Sequence, residues 1–221
     1  MLLTDTIQRS TSAIQAKKSA IENKQSQENY AKALTKLSQV SKDIKTTIDN
    51  ATSIYESGIV TNPLMTEELK ESLLENINDC GNGIYDGTLS MDMVKVLQSK
   101  GSEFSSQIAL VWKDAAEKYA SGPKGYLAMI AGLTENPKHS RELVENINAT
   151  INSNVSASSI RNLIANVDEA KTLTDAFSLN ASIECFLKKV SAQQATVMDL
   201  TPEILAWLKE KRLTTKLKIK F

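Results

Sequence analysis

From Leu3 to Ser57 the chain contains neither proline nor glycine, and an unbroken run of that length predicts one very long helix or two joined end to end. In its second half Tyr30, Leu37, Ile44 and Ala51 recur every seven residues, with Leu34, Ser41, Ile48 and Tyr55 forming a matching line four residues on. That is the a/d spacing of a coiled-coil seam. Ile7, Ile14 and Ile21 also recur every seven, but the next place in their line is Glu28, and the later seam is offset from theirs by two residues. The register breaks at 22–29. This stretch is polar all round, which suits an exposed helical crossing, a local unwinding or a tight turn between two arms.

Gly58 and Pro63 enclose the next break, and Thr66 ahead of Glu67, Glu68 and Glu71 marks a helix start. Leu69, Leu73, Leu74 and Ile77 give that helix a narrow apolar face as far as about Asp79. The cluster 80–87, with three glycines, reads as a loop and hinge because each glycine weakens a helix. Residues 90–121 read as helix, with Val94, Leu97, Phe104, Ile108 and Trp112 at three- and four-residue steps. Gly122-Pro123 is expected to end it, leaving Tyr126 to Leu133 as a short, nearly all-apolar helix at the centre of the core. Further helices are expected over 137–153, after a Ser156 or Ser158 cap, from Asn180 to Met198, and from Thr201-Pro202-Glu203 onward. The segment Leu200 to Leu208 is an ordinary capped amphipathic helix. Lys216 to Phe221 alternates strictly, the period of a half-buried strand. Its apolar side, Leu217, Ile219 and Phe221, needs a cover, either on the chain's own helices or on a partner's sheet.

These elements predict an all-α fold: a helical, coiled-coil arm at 1–57, a helical bundle at 64–213, and a short β-like basic tail at 214–221. Composition sharpens this. Of 221 residues 41% are apolar but only 5% aromatic, which favours aliphatic helix packing over a β-sandwich. Lys plus Arg (26) balances Asp plus Glu (26), so the whole molecule lacks a field that steers it to nucleic acid or to an anionic membrane. The exception is local: Lys209, Lys211, Arg212, Lys216, Lys218 and Lys220 stand against Glu210 alone. They are candidate phosphate contacts, although alternating lysines also guard an edge strand against aggregation.

Candidate chemistry is sparse. The only histidine is His139, so neither a histidine pair nor a His/Cys zinc quartet can form, and we expect no metal and no cofactor. The glycine cluster follows a helical pattern and lacks a Gly-Lys-Ser/Thr ending, which excludes a phosphate cradle; a calcium loop starting at Asp79 places isoleucine where glycine is needed. Trp112 and Trp207 sit at apolar helical positions that imply packing. Cys80 and Cys185, far apart in sequence, read as reduced core thiols. Asn50, Asn148, Asn154 and Asn180 open Asn-x-Ser/Thr triplets, but the N-terminus does not read as an export signal, and the chain is expected to be cytoplasmic, with no membrane span.

These features lead to an expectation of a non-enzymatic interaction or scaffold subunit of a multiprotein assembly. It would bind another subunit or itself through Ile7, Ile14, Ile21, Tyr30, Leu34, Leu37, Ile44 and Ile48, and through Leu217, Ile219 and Phe221 in the tail. The alternatives are a nucleic-acid-associated accessory protein using the basic C-terminal segment, and a helical enzyme whose site leaves no local motif. Abundant Lys, Asn, Ile and Ser with few Gly, Pro and Arg match a low-GC bacterial or phage composition.

Overall fold

The computed structural model describes residues 2–217, and all their side chains except those of residues 2–12 and Ala20. Among these residues all regular structure is helical: α1 Leu2–Glu56, α2 Glu67–Tyr85, α3 Met91–Ile130, α4 Pro137–Ile151, α5 Ala157–Asp175, α6 Ala181–Ser191 and α7 Pro202–Glu210, with a 3-10 turn at Val197–Asp199. Two compact units form. One joins Met1–Ala51 to Asn62–Ile108, and the other joins Thr52–Thr61 to Ala109–Phe221.

In the first unit, α1 passes through the polar stretch 22–29 without a break, so the arm is one helix of 55 residues. Its buried line in this unit is Ala33, Leu37, Val40 and Ile44, with Thr47 and Ala51 half-buried beyond them. The line through Leu37, Ile44 and Ala51 therefore faces inward as its spacing indicates. The companion line is displaced by one residue: Leu34 and Ile48 are 37% and 46% exposed. The cause is close approach to α3. A Cβ on Gly101 of α3 would stand 2.8 Å from Ile44 Cγ1, so small side chains occupy the places between the buried aliphatics.

Helix α2 starts at the expected Thr66, whose hydroxyl accepts from Leu69 N–H at 3.3 Å. It then runs through Gly81 and Gly83 to Tyr85, where a loop is expected from the glycine content. Packing explains the difference. Gly83 is buried, and a Cβ there would lie 3.1 Å from Leu89 Cα and 3.1 Å from Met93 Cε. Its carbonyl accepts from both Thr88 N–H (2.8 Å) and Leu89 N–H (2.9 Å), so the turn into α3 folds back onto a helix surface that only glycine leaves open. The left-handed conformation itself falls on Gly87, at φ +68°. The apolar face of α2 also differs from the expected one: Leu69, Leu73 and Cys80 are buried, whereas Leu74 and Ile77 are 52% and 41% exposed.

Helix α3 does not stop at Gly122-Pro123; it is one helix of 40 residues with Pro123 inside it. A proline in a helix interior removes one backbone bond and costs about 3 kcal/mol. The buried series Trp112, Ala116, Ala120, Leu127 and Ile130 keeps helical spacing across it, and this burial outweighs the penalty. An ion pair from Lys124 Nζ to Glu117 Oε1, 2.5 Å, spans the same turn. The apolar stretch after Pro123 lies in the core, as expected, through Leu127, Ile130, Ala131 and Leu133, although Ala128 and Gly132 are exposed.

The second unit also contains α4 packed on α5 and α6 packed on α7. Each start has a side-chain cap: Asn136 to His139 N–H, Ser156 to Ser159 N–H in a capping box, Asn180 to Ile183 N–H and Thr201 to Ile204 N–H. Ile147, Leu163, Val167, Phe186 and Leu208 fill the core between them. Helix α6 ends at Ser191, short of the expected Met198, because the chain turns at Gln193 with φ +57°. The following turn is tied down by Asp199, whose carboxylate pairs with Lys189 and accepts from Thr196 N–H (2.8 Å) and hydroxyl (3.0 Å).

The Lys189 contact, then the two Thr196 bonds, hold the Asp199 carboxyl at about 2, below its ordinary 3.8. Because the folded value is depressed, the stability this group contributes is fully present above its ordinary value and is lost as pH falls through about 2. A carboxyl-carbon NMR titration is expected to find the Asp199 midpoint near 2, and Lys189→Met to return it toward the ordinary range.

The expected tail is only partly described. Residues 214–216 form a turn and not a strand, with Lys216 N–H donating to Leu213 C=O at 3.0 Å. Lys218, Ile219, Lys220 and Phe221 lie outside the described residues. Both cysteines are free thiols. Cys80 is buried, and burial first, then Asp79, pushes its thiol up. Cys185 is exposed, not in the core as expected, because Ile183, Phe186 and Leu187 take the inward face of α6.

Candidate functional site

Along α1 every described side chain from Ala13 to Asn29 is exposed. Ile14 and Ile21, one above the other on a heptad spacing, are 68% and 59% exposed. At about 100° per residue, Lys17 and Lys24 fall on one side of these isoleucines and Lys18 on the other. The stripe is thus apolar and narrow, with lysines on both sides and Glu22 and Glu28 one turn on from Lys18 and Lys24. The side chain of Ile7, the third member of the line, is outside the described set. Further along, Tyr30 is half-buried and its hydroxyl donates to Ile84 C=O at 3.2 Å. Leu37 and Ile44 are buried in the chain's own packing, so among the sequence-derived contact residues the exposed ones are Ile14, Ile21, Leu34 and Ile48.

A second apolar stripe was not singled out from sequence as a contact surface. Leu74, Ile77 and Ile84 on α2 are 52%, 41% and 44% exposed, at steps of three and seven residues that put them on one helical face. At about 100° per residue they flank the buried series Leu69, Leu73, Cys80 and Gly83, with Ile77 and Ile84 one turn on from Leu73 and Cys80, so spacing alone does not separate them from the core face.

The basic C-terminal segment has a definite setting. Lys211 Nζ lies 3.1 Å from Glu210 Oε1 and 3.4 Å from Ser178 Oγ. Lys216 Nζ donates to Leu133 C=O (3.1 Å) and Thr134 C=O (3.2 Å), just beyond the end of α3. Arg212 sits in the left-handed region at φ +55°. These three residues line the rim of a cleft of about 630 Å³ in the second unit, between the α3–α4 junction and the end of α5. Lys209 is exposed on α7 and does not line the cleft.

His139 is the third residue of α4, as its place after Pro137 suggests, and also borders the cleft. Its Nε2 lies 2.7 Å from Glu169 Oε1 on α5. Nearby, Thr134 Oγ1 and Ser140 Oγ, both buried, are 2.9 Å apart, and Thr134 also donates to Ala131 C=O. The hydroxyls are thereby satisfied internally. Both tryptophans are buried, and Trp207 Nε1 donates to Phe177 C=O at 2.7 Å.

Among the described residues, no group of three or more His, Cys, Asp or Glu side chains is placed to hold a metal ion, and no helix is long and apolar enough to cross a membrane. No family model, curated protein or solved structure matches the chain.

Proposed function

We propose that the protein is a non-enzymatic interaction subunit of a multiprotein assembly, and that it docks a partner helix along the first half of α1 in coiled-coil fashion. The observation that carries this reading is the exposure of every described side chain from Ala13 to Asn29, with Ile14 and Ile21 among them. Helices whose side chains bury no area are marginal in water, since nucleation is costly and propensity alone barely offsets it. Two isoleucines in line supply the apolar seam, and the mixed charges beside it, Lys17, Lys18 and Lys24 with Glu22 and Glu28, suit a partner helix of complementary pattern.

In this reading the tail residues Leu217, Ile219 and Phe221 are a second docking element. Phosphate-backbone binding by the basic segment is the alternative reading, and its mark is binding that weakens steeply with salt.

The test compares the tagged full-length protein with the double variant Ile14→Glu/Ile21→Glu, each purified from its native cell. Both positions are exposed, so the variant is expected to melt like the wild type. The wild type is expected to return with a stoichiometric partner and the variant to return alone. Recovery of the wild type alone, as a monomer, overturns the proposal.

A further inference from the structure

The cleft in the second unit carries an inference independent of the arm. Its walls include Leu133, Leu173, Phe177 and Leu213, and Leu133 and Leu213 are 7% and 2% exposed, so they are held in the core and give the cleft a fixed apolar floor. Small-molecule sites are commonly about 300–1,000 Å³, mostly apolar, with a few polar groups that orient the ligand; this cleft measures about 630 Å³.

The charges on its rim do not cancel. Lys211 is matched by Glu210, and Glu169, which contacts His139, is outside the cleft lining. Lys216 is held by two neutral carbonyls, which orient the ammonium but leave its charge in place. Arg212 forms no ion pair among the described residues. Against these two cations the cleft lining offers Glu135 alone, leaving one net positive charge above an apolar floor.

We infer that this cleft binds a monoanionic carboxylate with an apolar body of medium length, its carboxylate between Arg212 and Lys216 and its hydrocarbon part against the half-buried Leu173 and Phe177. Guanidinium and ammonium bonds to a carboxylate are charge-assisted, roughly twice as strong as neutral ones. The planar fork of arginine also fits a carboxylate's two oxygens. A longer polyanion such as a phosphate strand gains nothing from the apolar floor.

The test uses the full chain, with decanoate, decanol and acetate as probes in calorimetry and methyl-resolved NMR. Decanoate is expected to bind with a Kd below about 1 mM and to shift the methyl signals of Leu133, Leu173 and Leu213. Decanol, which lacks the charge, and acetate, which lacks the body, are expected to bind at least about tenfold more weakly. Arg212→Asn, which keeps a residue tolerant of positive φ, and Lys216→Gln are each expected to weaken decanoate about fivefold or more, while Lys188→Gln on α6 leaves it unchanged. Equal affinity for decanol and decanoate, unchanged affinity in Arg212→Asn, or the absence of saturable binding overturns the inference. None of these outcomes depends on whether the arm has a partner.

Discussion

Replacing Trp112 with alanine is expected to lower stability by about 3–5 kcal/mol, the range for deleting a buried aromatic side chain, read from urea melts with Trp207 as the remaining fluorophore. Trp112 is 1% exposed on α3, among the largest buried side chains of the second unit. It also carries a peculiarity: its Nε1 is buried and has no hydrogen-bond partner. An unpaired buried donor costs about 1–3 kcal/mol. Trp112→Phe removes that donor while keeping one aromatic ring, so the lost packing and the relieved desolvation oppose each other. The expected change is within about 1 kcal/mol of zero, a small balance of those two terms. A loss in Trp112→Phe as large as in Trp112→Ala would show that the indole N–H is satisfied in solution.

The second large effect lies where α1 meets α3. Gly101→Leu is expected to destabilise the first unit by about 1–3 kcal/mol, the usual cost of overpacking a filled core. Leucine is a better helix former than glycine by nearly 1 kcal/mol, but its Cβ would stand 2.8 Å from Ile44 Cγ1 and 3.2 Å from Ile44 Cδ1. A β-branched residue in a helix has one preferred χ1 and cannot easily swing aside. Pairing Gly101→Leu with Ile44→Ala is therefore expected to cost less than the sum of the single changes, because the new side chain fills the space the isoleucine leaves. Simple additivity in that cycle would mean the two helices separate to relieve the clash.

The legible parts of this fold were those governed by local chemistry. Caps at Thr66, Asn136, Ser156, Asn180 and Thr201 stop and start helices through their own side-chain bonds, and their residue types announce it. The absence of breakers indicated helix from Leu3 to Ser57 but left open whether it was one helix or two, which the unbroken α1 answers. Where the reading departed from the structure, a tertiary contact outweighed a local preference. Gly81 and Gly83 counted against a helix, but Gly83 is the place where Leu89 and Met93 close in. Pro123 counted as a stop, yet the buried series on either side of it keeps its register. On α1 the bulkier Leu34 and Ile48 looked more like core than Ala33 and Thr47, while the facing helix left room only for the smaller pair.

The cleft was least legible. Leu133, Leu173 and Leu213 are about forty residues apart in sequence, and neither spacing nor motif connects them before the chain folds. The basic segment was visible as charge, but its orientation toward the carbonyls after α3 was not. On the arm the heptad spacing of Ile14 and Ile21 was visible in the sequence, and the structure adds that both side chains are exposed.

The most direct measurement of the central claim is amide hydrogen exchange along α1 in the dilute, isolated protein. Residues 33–54, whose inward line is buried, are expected to be protected, and residues 13–29 to exchange far faster, because no packing holds that part of the helix closed. Adding the co-purified partner is then expected to slow exchange at 13–29 alone. Protection of 13–29 equal to that of 33–54 in the isolated monomer would contradict the account.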